Sequence, residues 1–248
     1  MLGKLLKRRS NSRLEDLSVL KTDLHSHLIP GIDDGAPDME TSITLVRGLM
    51  DLGYSKIITT PHITPGIYEN SENDIKTGLD KLNSALVNEG IDITLEAAAE
   101  YYVDESFLSK INNKKDWLLF AGNQILIETG FSFKPIQLEE VLFSLRTDGI
   151  TPVLAHPERY LYMHERSLSQ YEKLKDQGIK FQLNIGSLTG VYTKTVQKIA
   201  YKLIDAGFID YLGSDLHNAR HLSYISQTLS NPYLCKAIKS GNIQNQDL

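Results

Sequence analysis

Parallel β-strands alternating with helices, seven or eight such units closed into a barrel, are the expectation from this 248-residue chain. Three observations support it. Short β-rich runs alternate with amphipathic helical patterns along the whole sequence, the mark of a parallel sheet with crossover helices. No Pro/Gly/Ser-rich linker interrupts the alternation, so one domain is expected and closure is favoured over an open doubly wound sheet. The first strand is not followed by G-x-G-x-x-G, which disfavours an open doubly wound nucleotide fold.

The first strand, 21–26, ends in His25-Ser26-His27, and Asp33-Asp34-Gly35 follows in a loop. Ile43, Val46, Leu49 and Met50 recur at helical spacing up to Gly53. A second strand, 55–60, runs into Pro61-His62. Ser71 then caps a helix carrying Ile75, Leu79, Leu82 and Leu86 and stopping at Gly90. Strands at 93–101 and 124–130 deliver Glu100 and Glu128, and Pro135 opens a helix that closes at Gly149. Strands at 151–156, 180–186 and 208–214 lead to His156, Asn184 and Asp215-Leu216-His217, with a helix from Tyr192 to Ala206 before the last.

Each strand therefore carries a polar, mostly metal-competent side chain at its C-terminal end. In a (β/α) barrel that is the face on which active sites are built. One such residue is ordinarily structural; a series on successive strands is not expected of a merely structural sheet. His25 and His27 are two apart, so both rings project to one side, and His-x-His can chelate one divalent ion. Asp215-x-His217 offers the same geometry with a carboxylate.

Composition removes other classes. Hydrophobic residues make up 41% and charged residues 23%, ordinary for a globular chain. With 26 basic and 31 acidic residues the net charge is −5, unsuited to nucleic-acid binding through a broad basic surface. No apolar run approaches the ~20 residues needed to span a bilayer. The single Cys235 allows neither an internal disulfide nor a thiolate cluster, consistent with a reducing, cytoplasmic setting. No arginine follows it, so the Cys-x5-Arg arrangement of cysteine phosphatases is absent, and Cys235 reads as a small buried hydrophobe. Residues 1–20 form a basic extension with Lys4, Lys7, Arg8, Arg9 and Arg13. Its plain reading is a solvated segment; its functional one, a weak peripheral contact with an anionic membrane or a partner.

The segment from His25 to Gly35, His-Ser-His-Leu-Ile-Pro-Gly-Ile-Asp-Asp-Gly, resembles the opening motif of the PHP (polymerase and histidinol phosphatase) superfamily. More narrowly it is similar to the CpsB/CapC (YwqE-like) bacterial protein-tyrosine phosphatases. Thr60-Pro61-His62, Ala99-Glu100-Tyr101-Tyr102, Leu126-Ile127-Glu128, Ala155 to Tyr160 and Gly213 to Asn218 follow in the family's order. The resemblance covers residues 21 to about 240 and implies a distorted (β/α)7 TIM-like barrel over 21–248 holding three divalent ions. By that resemblance His25, His27, Glu100 and Asp215 would hold the first ion. Glu100 would bridge to a second, held with Glu128 and His156, and Asp34, His62 and His217 would hold the third. The donors are imidazoles and carboxylates with no sulfur, a set that suits Mn²⁺, the first choice, as well as Fe²⁺, Zn²⁺ or Mg²⁺.

The resemblance further implies hydrolysis of phosphotyrosine by a hydroxide bridging two ions, with Arg159, His62 and Asp34 counted as catalytic. Arg159 grips phosphate, unless it forms a rim salt bridge with Glu158, and Arg220 is a second substrate-binding candidate. Tyr101, Tyr102, Tyr160 and Tyr162 are expected near the mouth. The implied partner is the phosphotyrosine-containing tail of a bacterial tyrosine autokinase in exopolysaccharide or capsule synthesis. The competing readings are a small-molecule phosphomonoesterase like histidinol phosphatase, a DNA-directed PHP exonuclease disfavoured by the charge, and a metal-stabilised scaffold that binds phosphotyrosine without turnover.

Overall fold

The computed structural model describes residues 13–113, 116–165 and 167–248. The strands are β1 (Thr22–Leu24), β2 (Lys56–Thr59), β3 (His62–Ile63), β4 (Thr94–Ala97), β5 (Glu100–Tyr102), β6 (Gln124–Glu128), β7 (Thr151–Ala155), β8 (Lys180–Asn184) and β9 (Tyr211–Gly213). The α-helices are α1 (Met39–Asp51), α2 (Glu72–Asn88), α3 (Glu105–Asn112), α4 (Leu138–Thr147), α5 (Ser169–Asp176), α6 (Lys194–Asp205), α7 (Ala219–Thr228) and α8 (Pro232–Lys239).

Named strands pair in parallel, in the orders β1-β2-β4 and β3-β5-β6-β7-β8-β9. The two sheets are continuous in backbone bonding. β2 and β3 are one strand position interrupted at Thr60-Pro61, where proline supplies no N–H; β4 and β5 are one position interrupted at Ala98-Ala99. Across the gap Ala98 N–H donates to Thr59 O at 2.9 Å and Glu100 N–H to Pro61 O at 3.1 Å. At the other edge Asp215 N–H reaches His25 O at 2.8 Å and His27 N–H reaches Leu216 O at 2.9 Å. Pairing thus passes through seven strand positions among the described residues and returns to the first.

Side-chain alternation sorts the core into two layers. Leu24, Ile58, Leu126, Val153, Ala155 and Tyr211 form an apolar plug. Their strand neighbours Ile57, Ile125, Ile127, Leu154, Phe181 and Leu212 pack with helix residues such as Leu49, Leu82, Leu142 and Leu203. The plug therefore fills the barrel interior, and the polar strand ends lie above it.

The Ser71 cap is present as a reciprocal capping box with Asp74. Helix α4 begins at Leu138 rather than at Pro135; the turn between them is closed by Leu138 N–H to Pro135 O at 3.2 Å. Helices α3, α5, α7 and α8, which the periodicity did not single out, are short; α5 buries only Tyr171 and Leu174. Residues 13–20, grouped with the basic extension by sequence, pack on the domain. Leu17 and Leu20 are buried, Leu14 N–H bonds Leu229 O at 2.8 Å and Leu17 N–H bonds Leu52 O at 2.7 Å. The remainder of the extension, 1–12, lies outside the described residues. Cys235 is buried with a free thiol. No helix among the described residues is long and apolar enough to cross a membrane.

Candidate metal centre

The backbone turns sharply as it leaves three strands. His25 (φ 89°), His156 (φ 33°) and Asp215 (φ 48°) all adopt left-handed conformations just beyond β1, β7 and β9. Such backbone costs on the order of 1–3 kcal/mol per non-glycine residue and persists where surroundings enforce it. Together with Glu100 at the start of β5 and Glu128 at the end of β6, these residues converge on the interior.

Glu100 is the hub. Its Oε2 lies 3.0 Å from His25 Nε2, 3.3 Å from His62 Nδ1 and 3.6 Å from His27 Nε2, and its Oε1 lies 3.0 Å from His156 Nε2. Asp215 Oδ1 is 3.3 Å from His25 Nε2 and 3.6 Å from His27 Nε2. Toward solvent, Asp34 Oδ1 lies 3.5 Å from His62 Nε2 and 3.4 Å from His217 Nε2. All nine residues expected from sequence to bind metal are brought together. Their ligand atoms form four overlapping groups: His27, Asp34, His62 and His217; His25, His27 and Glu100; His25, His156 and Asp215; and His62, Glu100 and Glu128. These groups cut across the expected partition: Glu128 approaches His62 at 3.2 Å and His156 only at 4.0 Å, His156 falls with His25 and Asp215, and His27 also joins Asp34, His62 and His217.

The electrostatics are those of a cluster built for cations. Burial opposes ionisation of Glu100, yet His25 and His62 hold its carboxyl well below the ordinary range. Burial likewise opposes charge on Asp215, and His25 and His217 outweigh it. For the imidazoles burial disfavours protonation, but the carboxylates win: His25 is raised to about 9 by Glu100 and Asp215, His62 to about 10 by Glu100 and Glu128, and His217 to about 9 by Asp215 and Asp34. His156 is lowered, by burial and the nearby Arg159. Buried His27 Nε2, His62 Nδ1 and His156 Nδ1 have no hydrogen-bond partner, an expensive state for a polar atom. Unpartnered nitrogens among buried carboxylates, with no thiolate, fit divalent cations.

Asp33, in the loop beside Asp34, accepts from His27 Nδ1–H at 2.8 Å and His62 N–H at 3.1 Å through Oδ2, and from Gly35 N–H at 3.0 Å through Oδ1. It orients two candidate ligands. Gly35 is required there, because a Cβ would lie 2.1 Å from His27 O.

A cavity of about 490 Å³ opens above the cluster, lined by Asp34, His62, Glu100, Glu128, His156, Arg159, Asp215 and His217 and walled by Tyr68, Tyr102, Phe131 and Tyr192. The Arg159 guanidinium lies between the rings of Phe131 (4.4 Å) and Tyr192 (4.3 Å) and bonds Asp215 Oδ2 at 3.0 Å. Its partner is thus not Glu158, which is fully buried and accepts from Asn184 N–H and Ser187 Oγ–H. Arg220 stands apart: it is exposed on the first turn of α7, over Tyr224 at 5.5 Å, and does not line the cavity. Of the four tyrosines expected at the mouth only Tyr102 lines it. Tyr101 and Tyr160 are buried, accepting from Leu118 N–H and Thr129 N–H, and Tyr162 bonds Thr129 Oγ1. Phe131 and Tyr192, which sandwich the arginine, carried no sequence signal, since nothing local marks an aromatic as a cavity wall.

Comparison with known proteins agrees with this geometry. A family model described as capsular polysaccharide synthesis, CpsB/CapC, matches residues 21–230. The chain is 31% identical over 205 residues to the tyrosine-protein phosphatase YwqE of Bacillus subtilis, covering 83% of this chain and 80% of that protein. It is 27% identical over 201 residues to the tyrosine-protein phosphatase CpsB of Streptococcus pneumoniae, covering 79% and 82%. A chain from the crystal structures of B. subtilis YwqE and S. pneumoniae CpsB, described as metal-dependent tyrosine phosphatases, superposes with a TM-score of 0.76 at 28% identity, covering 91% of this chain and 95% of that one. A lactonase from Listeria monocytogenes shares the fold alone, with a TM-score of 0.50 at 12% identity. The barrel, the strand-end cluster and these matches together place the chain in the CpsB/CapC family.

Proposed function

We propose that this chain is a metal-dependent protein-tyrosine phosphatase whose substrate is a phosphotyrosine-bearing segment of a bacterial tyrosine autokinase tied to capsule or exopolysaccharide synthesis. One observation carries the reading: nine histidine and carboxylate side chains cluster, and seven of them, with a clamped arginine, line a single aromatic-walled cavity. The relatives named as tyrosine-protein phosphatases support it.

His25, His27, Glu100, Asp215, Glu128, His156, Asp34, His62 and His217 would hold the ions. Mn²⁺ is the first choice, and three ions fit the number of donors. When bound, such ions supply Lewis acidity, activating water and offsetting phosphoryl charge. Arg159 spends one N–H on Asp215 and has others free to grip phosphate oxygens. Tyr68, Tyr102, Phe131 and Tyr192 flank the path an aryl group takes into the cavity. His62 and Asp34 stand on its solvent side, where a leaving phenolate departs and a proton is needed. Phenolate, the conjugate base of a group with pKa about 10, needs little help from a general acid.

The test is turnover of p-nitrophenyl phosphate and of a phosphotyrosyl peptide before and after chelation, with metal content measured alongside. Chelator-sensitive hydrolysis of both supports the proposal. Higher kcat/KM for histidinol phosphate than for the peptide would assign a small-metabolite phosphatase instead, and binding of the peptide without turnover would leave only a scaffold.

A further inference from the structure

Gln182 and Asn184 lie two apart on β8, fully buried, on the strand face that meets the cluster. Gln182 Oε1 is 3.3 Å from the backbone N of His156 and 2.8 Å from His25 Nδ1. A backbone N–H only donates, so this end of the amide must be the oxygen. An oxygen there obliges His25 Nδ1 to carry its hydrogen, and Nε2 is the nitrogen left to face Glu100 and Asp215.

The opposite end of the amide is then the donor. Gln182 Nε2 donates to Asn184 Oδ1 at 3.0 Å, which turns Asn184 Nδ2 onto Asp215 Oδ2 at 2.6 Å. Arg159 Nη1 donates to the same oxygen at 3.0 Å. Asp215 Oδ2 is therefore occupied twice, and Oδ1 is the oxygen left for the cluster. Gly213 keeps the space: a Cβ there would lie 2.3 Å from Gln182 Nε2.

We propose that Gln182 and Asn184 are positioning residues that select which atoms of the centre are presented, Nε2 of His25 and Oδ1 of Asp215. The proposal rests on the metal-centre reading above. Outer partners of this kind fix imidazole tautomers and are worth about 10–100-fold in metal affinity.

The experiment titrates metal-free full-length protein with Zn²⁺ by calorimetry and records histidine side-chain ¹⁵N spectra of the Zn²⁺-loaded protein. The wild type is expected to show His25 metallated at Nε2 and protonated at Nδ1. Gln182→Leu removes the acceptor; affinity is expected to fall about 10–100-fold, with loss of the His25 Nδ1–H signature. Gln182→Glu keeps both acceptor contacts and is expected to restore that signature. Asn184→Leu should leave it intact while still lowering affinity about tenfold. If Gln182→Leu does not fold, the wild-type His25 spectrum and the Zn²⁺ affinity of Asn184→Leu decide the matter. His25 metallated at Nδ1 in the wild type, wild-type affinity and spectra in Gln182→Leu, or wild-type affinity in Asn184→Leu overturns the proposal while the metal centre stands. A wild type that binds no Zn²⁺ overturns both.

Discussion

The inner and outer halves of the pocket are built differently. The inner half, His25, Glu100, His156 and Asp215, is almost wholly buried, and three of its members sit in left-handed backbone. The outer half, Asp34, His62 and His217, is partly open; the Asp34 side chain is 52% exposed against 0% for Glu100. The first arises just past β1, β7 and β9 and at the first residue of β5, the second from the Asp33-Asp34-Gly35 turn, the break after Thr60 and the turn before α7. Burial makes the inner charges interdependent, because each removed partner leaves another uncompensated. Exposure makes the outer ones separable.

The sharpest way to break this contrast is Glu100→Ala. Activity toward p-nitrophenyl phosphate should fall by at least about 10³-fold, several kcal/mol, with loss of bound metal and with folding retained by circular dichroism. Near-wild-type turnover would refute the hub role. A pH series sharpens it next. In the metal-free chain His25, His62 and His217 are raised to about 9, 10 and 9, so they hold protons at neutral pH that an ion must displace. Metal affinity should therefore keep rising from pH 7 to about 9, roughly tenfold per unit for each proton displaced, where ordinary imidazoles would level off near 7. Calorimetry at pH 7 and 8 measures the slope.

Arg159→Ala should cost about 10–100-fold in kcat/KM, mostly in KM, the size of one hydrogen bond to a charged group. Asp34→Ala should cost about tenfold and release metal from the outer half first, with the melting temperature little changed. Arg220→Ala should stay within about twofold, as a surface residue off the cavity does; a larger loss in steady-state kinetics would return it to the substrate path.

Eight of the ligand candidates were legible because they stand at or just beyond strand ends read one after another along the sequence; Asp34, in the loop after the first strand, came from the resemblance. The sandwich around Arg159 was not, since Phe131 and Tyr192 come from separate loops. Nor were Gln182 and the orienting part played by Asp33, because a hydrogen-bond direction is fixed only by the neighbours the fold supplies. Asn184 was visible as a polar strand end, but its bond to Asp215 was not. The break at Ala98-Ala99 was hidden within the continuous β-like run 93–101, the strand's resumption at His62 was not signalled beyond Pro61, and Arg220 misled because nearness in sequence to Asp215 says nothing about which way the first turn of α7 points.

The left-handed backbone at His156 has an evolutionary consequence. Glycine would relax that conformation at no steric cost, and it would also remove an imidazole whose Nδ1 is left without a partner. Yet glycine would also strip the buried Glu100 Oε1 of its partner 3.0 Å away, so heat resistance alone would not select it, and the turn at 156 stays bound to its imidazole.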